Sequence, residues 1–175
     1  RVKEGTMHHI VLNKRPHGHD LPVPRLFIYP SIILFYVLLR WINEHACNPI
    51  IIFVPTIKTA KRFGYILSTL MKCYVCTSES DNRDSVIHEF KQEKNGIMIA
   101  TTVLERGVTI PKADICVWHA NHPVFDEAGL IQMAGRAGRS FTSPEGDVLF
   151  LCSEKTELVQ LCKEKIEQAN HVCIV

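Results

Sequence analysis

Ile50-Ile51-Ile52-Phe53-Val54 is an unbroken apolar run of the kind found in strands that are covered on both faces of a parallel sheet. A helical pattern precedes the run, from Ser31 to about His45, and Thr56 can cap a second helix directly after it. The run therefore predicts a buried strand with a helix on either side in sequence.

The same alternation of strand and helix continues along the chain. The helix after Thr56 has apolar positions from Ala60 to Met71 at helical spacing. Further strands are predicted at 74–76, 97–100, 115–118 and 147–152, and further helices at 83–92, 125–136 and 154–169. Such alternation specifies a right-handed, mostly parallel sheet with helices on both faces, so we expect an α/β fold in three layers, α/β/α.

The composition fits one globular domain. The chain has 175 residues, of which 46% are hydrophobic, and its formal net charge of +2 is too small to indicate nucleic-acid binding by itself. Seven cysteines, an odd number mostly inside apolar runs, argue against a disulfide framework and favour a reducing cytoplasm. The most apolar stretch, 32–39, is far shorter than the roughly 20 residues of a membrane span, and we interpret it as a buried helix.

The beginning of the chain differs from the rest because it is basic and interrupted by prolines. We expect residues 1–30 to be a connector or an edge strand and residues 31–175 to form the domain. The chain begins at Arg1 without an initiator methionine, which suggests that it is cut from a longer protein.

Two hydroxyl side chains follow the predicted strand that ends at Ala100. Ligands of open α/β sheets bind beyond the carboxyl ends of the strands, so the loops after the strands are the first places to search for a site. Thr101 and Thr102 place hydroxyls and backbone N–H groups where a phosphodiester could be bound without reading bases. The alternative, that both threonines merely cap a turn, is equally open on these two residues alone.

The next such loop, together with its helix, contains the segment Gln132-Met133-Ala134-Gly135-Arg136-Ala137-Gly138-Arg139. This segment indicates a function far more specifically than the two threonines do. It places the guanidinium groups of Arg136 and Arg139 three residues apart, with small residues between them. The planar, permanently charged fork of arginine suits a γ-phosphate. A solvated basic helix end would not explain Gly135 and Gly138, because glycine costs about 1 kcal/mol inside a helix.

These segments resemble the motifs of superfamily 2 helicases. Residues 132–139 resemble motif VI, residues 100–111 resemble motif V, and residues 50–56 resemble motif IV. Arg83, seven residues before Phe90, matches the arginine that precedes motif V in these motors. Residues 101–109, 21–24 and 146–150 are most similar to the late-competence ComFA helicases, which are thought to pull single-stranded DNA into bacterial cells.

The resemblance implies a RecA-like helicase C-terminal domain and a role for each matching residue. At the ATP site, the resemblance implies that Arg136 and Arg139 are arginine fingers and that Gln132 couples the nucleotide to the nucleic acid. It also implies that Glu105, Gly107 and Gly135 line the cleft. The residues that it implies for nucleic-acid binding are Thr101, Thr102, Pro55, Thr56 and Arg83. Three positions depart from the DEAD-box pattern: threonines stand at 102 and 109, where that pattern has aspartates, and Ser80 stands where it has glutamine. These differences weaken an RNA-helicase assignment.

The sequence contains neither a Gly-x-x-x-x-Gly-Lys-Ser/Thr phosphate loop nor an Asp-Glu-x-Asp/His pair for magnesium. We therefore expect an upstream RecA-like domain to bind most of the ATP and Mg²⁺, and the chain alone to be inactive. The expected partners are that domain, single-stranded DNA and the DNA-uptake machinery, with the protein in the cytoplasm or at the inner face of the membrane.

Two other functions remain open. One is a motor for replication restart, recombination or RNA remodelling, since motif V and VI chemistry is shared among these roles. The other is a RecA-like module that binds nucleic acid without hydrolysing ATP, against which the intact Arg136 and Arg139 argue.

Several other patterns are interpreted as structural. Cys73 and Cys76 have the spacing of half a zinc site but lie in a predicted strand, so we predict no metal site. Trp41 and Trp118 are expected in the core. The histidine-rich segment 119–123 follows a strand and is a weak candidate for the cleft.

Overall fold

A computed structural model describes residues 20–102, 110–138 and 146–171, which form one sheet between two layers of helices. The strands are β1 (Arg25–Ile28), β2 (Pro49–Phe53), β3 (Cys73–Cys76), β4 (Gly96–Ala100), β5 (Asp114–Trp118) and β6 (Val148–Cys152). The helices are α1 (Ser31–Glu44), α2 (Ile57–Leu67), α3 (Arg83–Gln92), α4 (Glu127–Ala134) and α5 (Glu157–His171). All the described strands are parallel, in the order β1-β6-β5-β2-β4-β3, which confirms the predicted α/β/α fold.

The apolar run at 50–54 lies at the centre of the sheet, since β2 pairs with both β4 and β5. Ile51 and Phe53 belong to the core on one face of the sheet, and Ile50, Ile52 and Val54 belong to the core on the other. Helices α3, α4 and α5 cover the first face, while α1 and α2 cover the second. Burial on both faces explains why the strand is apolar at every position.

Helix α1 corrects one expectation, because the stretch at 32–39 is not fully buried. Leu34 and Leu38 are completely buried against the sheet, whereas Ile32 is 86% and Tyr36 is 66% exposed. A stretch that is apolar all round does not indicate which side of a helix meets the sheet, and a helix in an outer layer buries one side only. None of the helices in the described part of the chain has the length and apolar character needed to cross a bilayer.

Helix α4 is shorter than predicted and ends at Ala134. Asp126 caps its start, since Asp126 Oδ1 accepts the backbone N–H of Gly129 at 2.7 Å. Beyond Gly135 the chain makes tighter turns, and Gly138 adopts a φ of 67°, a left-handed conformation that glycine accepts without strain. Arg136 therefore lies in a turn beyond the helix. We call residues 135–138 the arginine turn.

Strand β1 lies at the edge of the sheet, within the segment expected to be a connector or an edge strand. One carboxylate oxygen, Oδ2 of Asp147, accepts hydrogen bonds from Arg25 and from Trp41 Nε1 at 2.7 Å, and His45 Nε2 lies 3.1 Å away. Burial acts to raise the pKa of Asp147, but the hydrogen bonds from Trp41 and Arg25 and the charge of Arg25 outweigh it, so the pKa is lowered. This carboxylate joins β1, α1 and the start of β6.

Candidate functional sites at two edges of the sheet

The predicted site residues are divided between the two edges of the sheet. All strands are parallel, so one edge collects the ends of the strands and the other collects their beginnings. We call these the carboxyl edge and the amino edge.

At the carboxyl edge, the loops after β2, β3 and β4 leave the sheet side by side. Val54 donates its backbone N–H to the carbonyl oxygen of Ala100 at 2.8 Å, and Thr101 donates its own to the carbonyl oxygen of Cys76 at 3.3 Å. Pro55 and Thr56 therefore emerge next to Thr101 and Thr102 at this edge.

The exposure of these residues differs. Thr101 is 6% exposed, Pro55 and Thr102 are half-buried, and Thr56 is exposed. The Thr56 hydroxyl already caps α2, because it accepts the Thr59 N–H at 3.2 Å and bonds the Thr59 hydroxyl at 2.8 Å. Thr102 is thus better placed than Thr56 to offer a hydroxyl to a ligand.

Arg83 is the first residue of α3, in the connection that leaves β3 at the same edge. Its side chain is exposed, in an open polar depression that it shares with Asp81 and Asp84. Ser80, which stands where the DEAD-box pattern has glutamine, accepts the Thr77 N–H at 3.0 Å and so shapes this loop. Arg83 can supply the positive charge that the threonines lack.

The arginine turn lies at the amino edge, which corrects the expectation that it accompanies the loops at the carboxyl ends. Gly138 donates its backbone N–H to the carbonyl oxygen of Ala113, the residue before β5, at 3.0 Å. Helix α4 starts beyond the carboxyl end of β5 and runs back across the sheet, about 12 Å for its length, so its own end reaches the opposite edge. The arginine turn thus lies at a different edge of the sheet from Thr101 and Thr102.

Within motif VI, Arg136 is buried with 6% exposed, while Gln132 is exposed on α4. Gly135 donates its N–H to the Ile131 carbonyl oxygen at 2.9 Å, and a Cβ placed on Gly135 would lie 3.8 Å from Leu21 Cδ2. Arg139, Glu105 and Gly107 lie outside the described residues.

A polar cluster at the carboxyl edge of β5 and β6 combines two residues of the candidate segment 119–123 with two serines that the sequence did not single out. The Ser31 hydroxyl bonds His119 Nε2 at 3.1 Å, and the Asn121 side chain bonds both the hydroxyl and the N–H of Ser153 at 3.1 Å. Burial, together with the neighbouring His122, lowers the pKa of His119. Ser31 and Ser153 carry no motif, and their position directly after strands was the only signal available.

The cysteine pair of β3 cannot hold one ion, because residues three apart on a strand point to opposite faces. Cys76 packs in the core of one face and Cys73 against the core of the other, and burial raises the pKa of Cys73 to about 11. Across 20–102, 110–138 and 146–171, no group of three or more His, Cys, Asp or Glu side chains is arranged to hold a metal ion.

A parallel α/β/α domain with Thr101 and Thr102 at one edge of the sheet and an arginine turn at the other has the architecture of a RecA-like C-terminal domain of superfamily 2 helicases. Residues 33–141 match the Helicase conserved C-terminal domain, and the chain belongs to this family.

Relatives agree with this assignment, and a solved structure shares the fold. Competence protein ComFA of Streptococcus pneumoniae is 31% identical over 97% of the chain, and Competence protein ComFA of Bacillus subtilis is 28% identical over 98%. The chain spans only 42% and 39% of these two proteins. The C-terminal domain of the DEAD-box protein Dbp5 shares the fold, with a TM-score of 0.62 and 23% identity over 85% of each chain.

Proposed function

We propose that this chain is the C-terminal motor domain of an ATP-dependent DNA helicase or translocase that moves single-stranded DNA during DNA uptake in competence. The observation that carries the proposal is the separation of two chemistries on one rigid sheet. Hydroxyl-bearing loops meet at the carboxyl edge, and Arg136 lies at the amino edge. The similarity to the ComFA proteins along nearly the whole chain supports the competence assignment.

DNA would bind at the carboxyl edge, along the ends of β2, β4 and β3. Thr102 and the neighbouring backbone N–H groups can bond phosphate oxygens, which fixes a strand in place without selecting a sequence. Arg83 contributes a charge, which brings the salt-dependent part of the affinity. Pro55, Thr56 and Thr101 would line the same track.

ATP would bind at the amino edge, between this chain and an upstream RecA-like domain that holds most of the nucleotide and the Mg²⁺. Arg136, with Arg139, acts there as an arginine finger toward the γ-phosphate, and Gln132 couples the nucleotide to the DNA. Burial restricts the conformations of Arg136, and a preorganised cation needs little rearrangement as charge develops on the phosphate. Gly135, Glu105 and Gly107 would line this cleft.

Alternate closing and opening of the cleft would then move the DNA. Reaction requires close alignment of finger and phosphate, so the cleft closes before hydrolysis and opens after it. Because both ligands contact the same sheet, each closure shifts the DNA-binding edge with it. The motor would act in the cytoplasm or at the inner face of the membrane, with the DNA-uptake machinery as its partner.

The test measures ATP hydrolysis by the complete protein in the presence of single-stranded DNA. Arg136→Ala should lower kcat by about 1,000-fold or more, the usual contribution of an arginine finger. Arg40→Ala, which removes an exposed arginine paired with Glu44 on α1, is the matched control and should leave kcat unchanged. Full turnover by Arg136→Ala would show that the finger assignment is wrong.

The nucleic acid used in the same assay separates the competing roles. Stimulation by single-stranded DNA supports the proposal, whereas stimulation by RNA alone would favour RNA remodelling. Binding of DNA with no hydrolysis would favour a non-hydrolysing module. In a transformable host, the Arg136→Ala allele should abolish transformation and leave growth and DNA repair intact, while a repair defect would favour replication restart or recombination.

A further inference from the structure

Gly146 lies in direct contact with the arginine turn. A Cβ placed on Gly146 would lie 2.2 Å from the backbone nitrogen of Gly138, 2.6 Å from the carbonyl carbon of Ala137 and 2.8 Å from the Ala137 Cβ. The two shortest of these distances are to backbone atoms, which cannot move aside as the tip of a side chain can. The φ of Gly146 is not positive, so glycine is required here for space and not for backbone conformation.

The turn is held from two sides. Gly138 donates its N–H to Ala113 at the start of β5, and Gly146 packs against it from just before β6. The two strand beginnings are themselves joined, because Asp147 donates its N–H to Asp114 Oδ1 at 2.8 Å. The start of β5 and the start of β6 therefore form one support for the backbone of the turn.

We propose that Gly146 is a positioning residue that sets the location of Arg136 by allowing the arginine turn to lie directly on the start of β6. The proposal rests on the proposed function of Arg136 as an arginine finger. A side chain at position 146 would push the turn outward by about 1 Å, and a misplacement of that size can cost about 100-fold in rate. Gly146 itself does not contact the nucleotide.

The test compares Gly146→Ala with Gly64→Ala in the complete protein. Gly64 is the matched control, because a Cβ there would meet Val75 Cγ2 at 2.5 Å, away from both candidate sites. We expect Gly146→Ala to lower the kcat of DNA-stimulated ATP hydrolysis by about 10- to 100-fold, with a smaller change in the KM for ATP. Gly64→Ala should keep the wild-type kcat at temperatures where it is folded.

A second readout needs no nucleotide. Amide hydrogen exchange over residues 133–138 should be faster in Gly146→Ala than in the wild type, and unchanged in Gly64→Ala. Equal exchange and equal kcat in Gly146→Ala and the wild type would overturn the proposal.

The double variant Arg136→Ala/Gly146→Ala shows whether Gly146 acts through the arginines of this segment. Adding Gly146→Ala to Arg136→Ala should lower kcat by a smaller factor than Gly146→Ala does alone, since one of the two proposed fingers is already absent, and independent multiplication of the two effects would overturn the proposal. Wild-type turnover by Arg136→Ala would overturn the finger assignment of Arg136 and this inference together. Loss of turnover in Arg136→Ala with a wild-type Gly146→Ala would overturn the positioning role alone.

If Gly146→Ala does not fold, Ala137→Gly replaces it in both assays. This change removes the methyl group that faces Gly146 and loosens the turn without a clash. A several-fold lower kcat with faster exchange over 133–138 supports the proposal, and wild-type values of both contradict it.

Discussion

Thr101 donates its backbone N–H to the carbonyl oxygen of Cys76 at 3.3 Å, and this bond joins the loop after β4 to the loop after β3. On its other side β4 meets β2, where Val54 bonds Ala100. The three loops proposed to hold DNA thus begin from neighbouring, hydrogen-bonded strand ends. Substitutions of the half-buried and exposed side chains at these strand ends should alter ligand contacts more than folding.

Arg83→Ala should weaken binding of single-stranded DNA and reduce the salt dependence of that binding. Loss of one phosphate contact lowers the slope of log K against log salt by about 0.7 for a single strand. Lys91→Ala is the matched control, since it removes a charge from the last turn of the same helix, about 12 Å away. Fluorescence anisotropy titrations at salt concentrations between about 50 and 200 mM measure the salt slope of DNA binding for both variants. Equal slopes for the two variants would argue against a phosphate contact at Arg83.

Thr102→Ala should lower the affinity for single-stranded DNA about 5-fold, the effect of losing one hydrogen bond worth about 1 kcal/mol. The salt slope should stay unchanged, because no charge is removed. Thr69→Ala is the control, since its hydroxyl donates to the Ile66 carbonyl oxygen beyond the end of α2. If Thr102→Ala binds DNA as the wild type does, the threonine only shapes the turn.

Asp147→Asn should destabilise the chain at neutral pH by about 1–3 kcal/mol, because the charged acceptor for Arg25 and Trp41 is lost. The pKa of Asp147 is lowered in the folded state, so its stabilisation is complete above the unfolded pKa of about 3.9 and is lost as pH falls through the folded pKa. Urea denaturation should therefore show a difference between variant and wild type that shrinks in acid.

Glu44→Gln is the control for this prediction. It removes an exposed carboxylate from the i,i+4 pair with Arg40, and should change the free energy of unfolding by no more than about 0.5 kcal/mol. A difference between Asp147→Asn and the wild type that persists undiminished below the folded pKa would contradict the assigned role of the charge.

Asn170→Ala should release the segment that leads into β1. The Asn170 side chain accepts the Leu21 N–H at 2.7 Å and donates to the Leu21 carbonyl oxygen at 2.8 Å. Losing both bonds should cost about 1–2 kcal/mol and speed hydrogen exchange at Leu21, which lies near Gly135 of the arginine turn. Gln168→Ala, an exposed change on the same helix, should leave Leu21 protected. Protection of Leu21 in both variants would mean that other contacts hold the segment.

Most elements could be predicted from local pattern. The predicted strand at 50–54 is β2 (Pro49–Phe53), and the helix predicted at 83–92 is α3 without change. Helix α4 was predicted too long because the turns beyond Gly135 continue its path without its hydrogen bonds. The motif residues could be identified for the same local reason, since their spacing along the chain carries the signal.

The sequence by itself determined the α/β/α class and the helicase family. Strands buried on both faces must be apolar, and the residues of the helicase motifs recur at fixed spacing. Both features can therefore be recognised in short segments of the sequence. Only the tertiary structure decided that β4 lies between β2 and β3, that Arg136 and Thr101 face opposite edges, and that Gly146 supports the arginine turn. These relationships join residues far apart in the chain, and packing between distant segments follows no local periodicity from which it could be read.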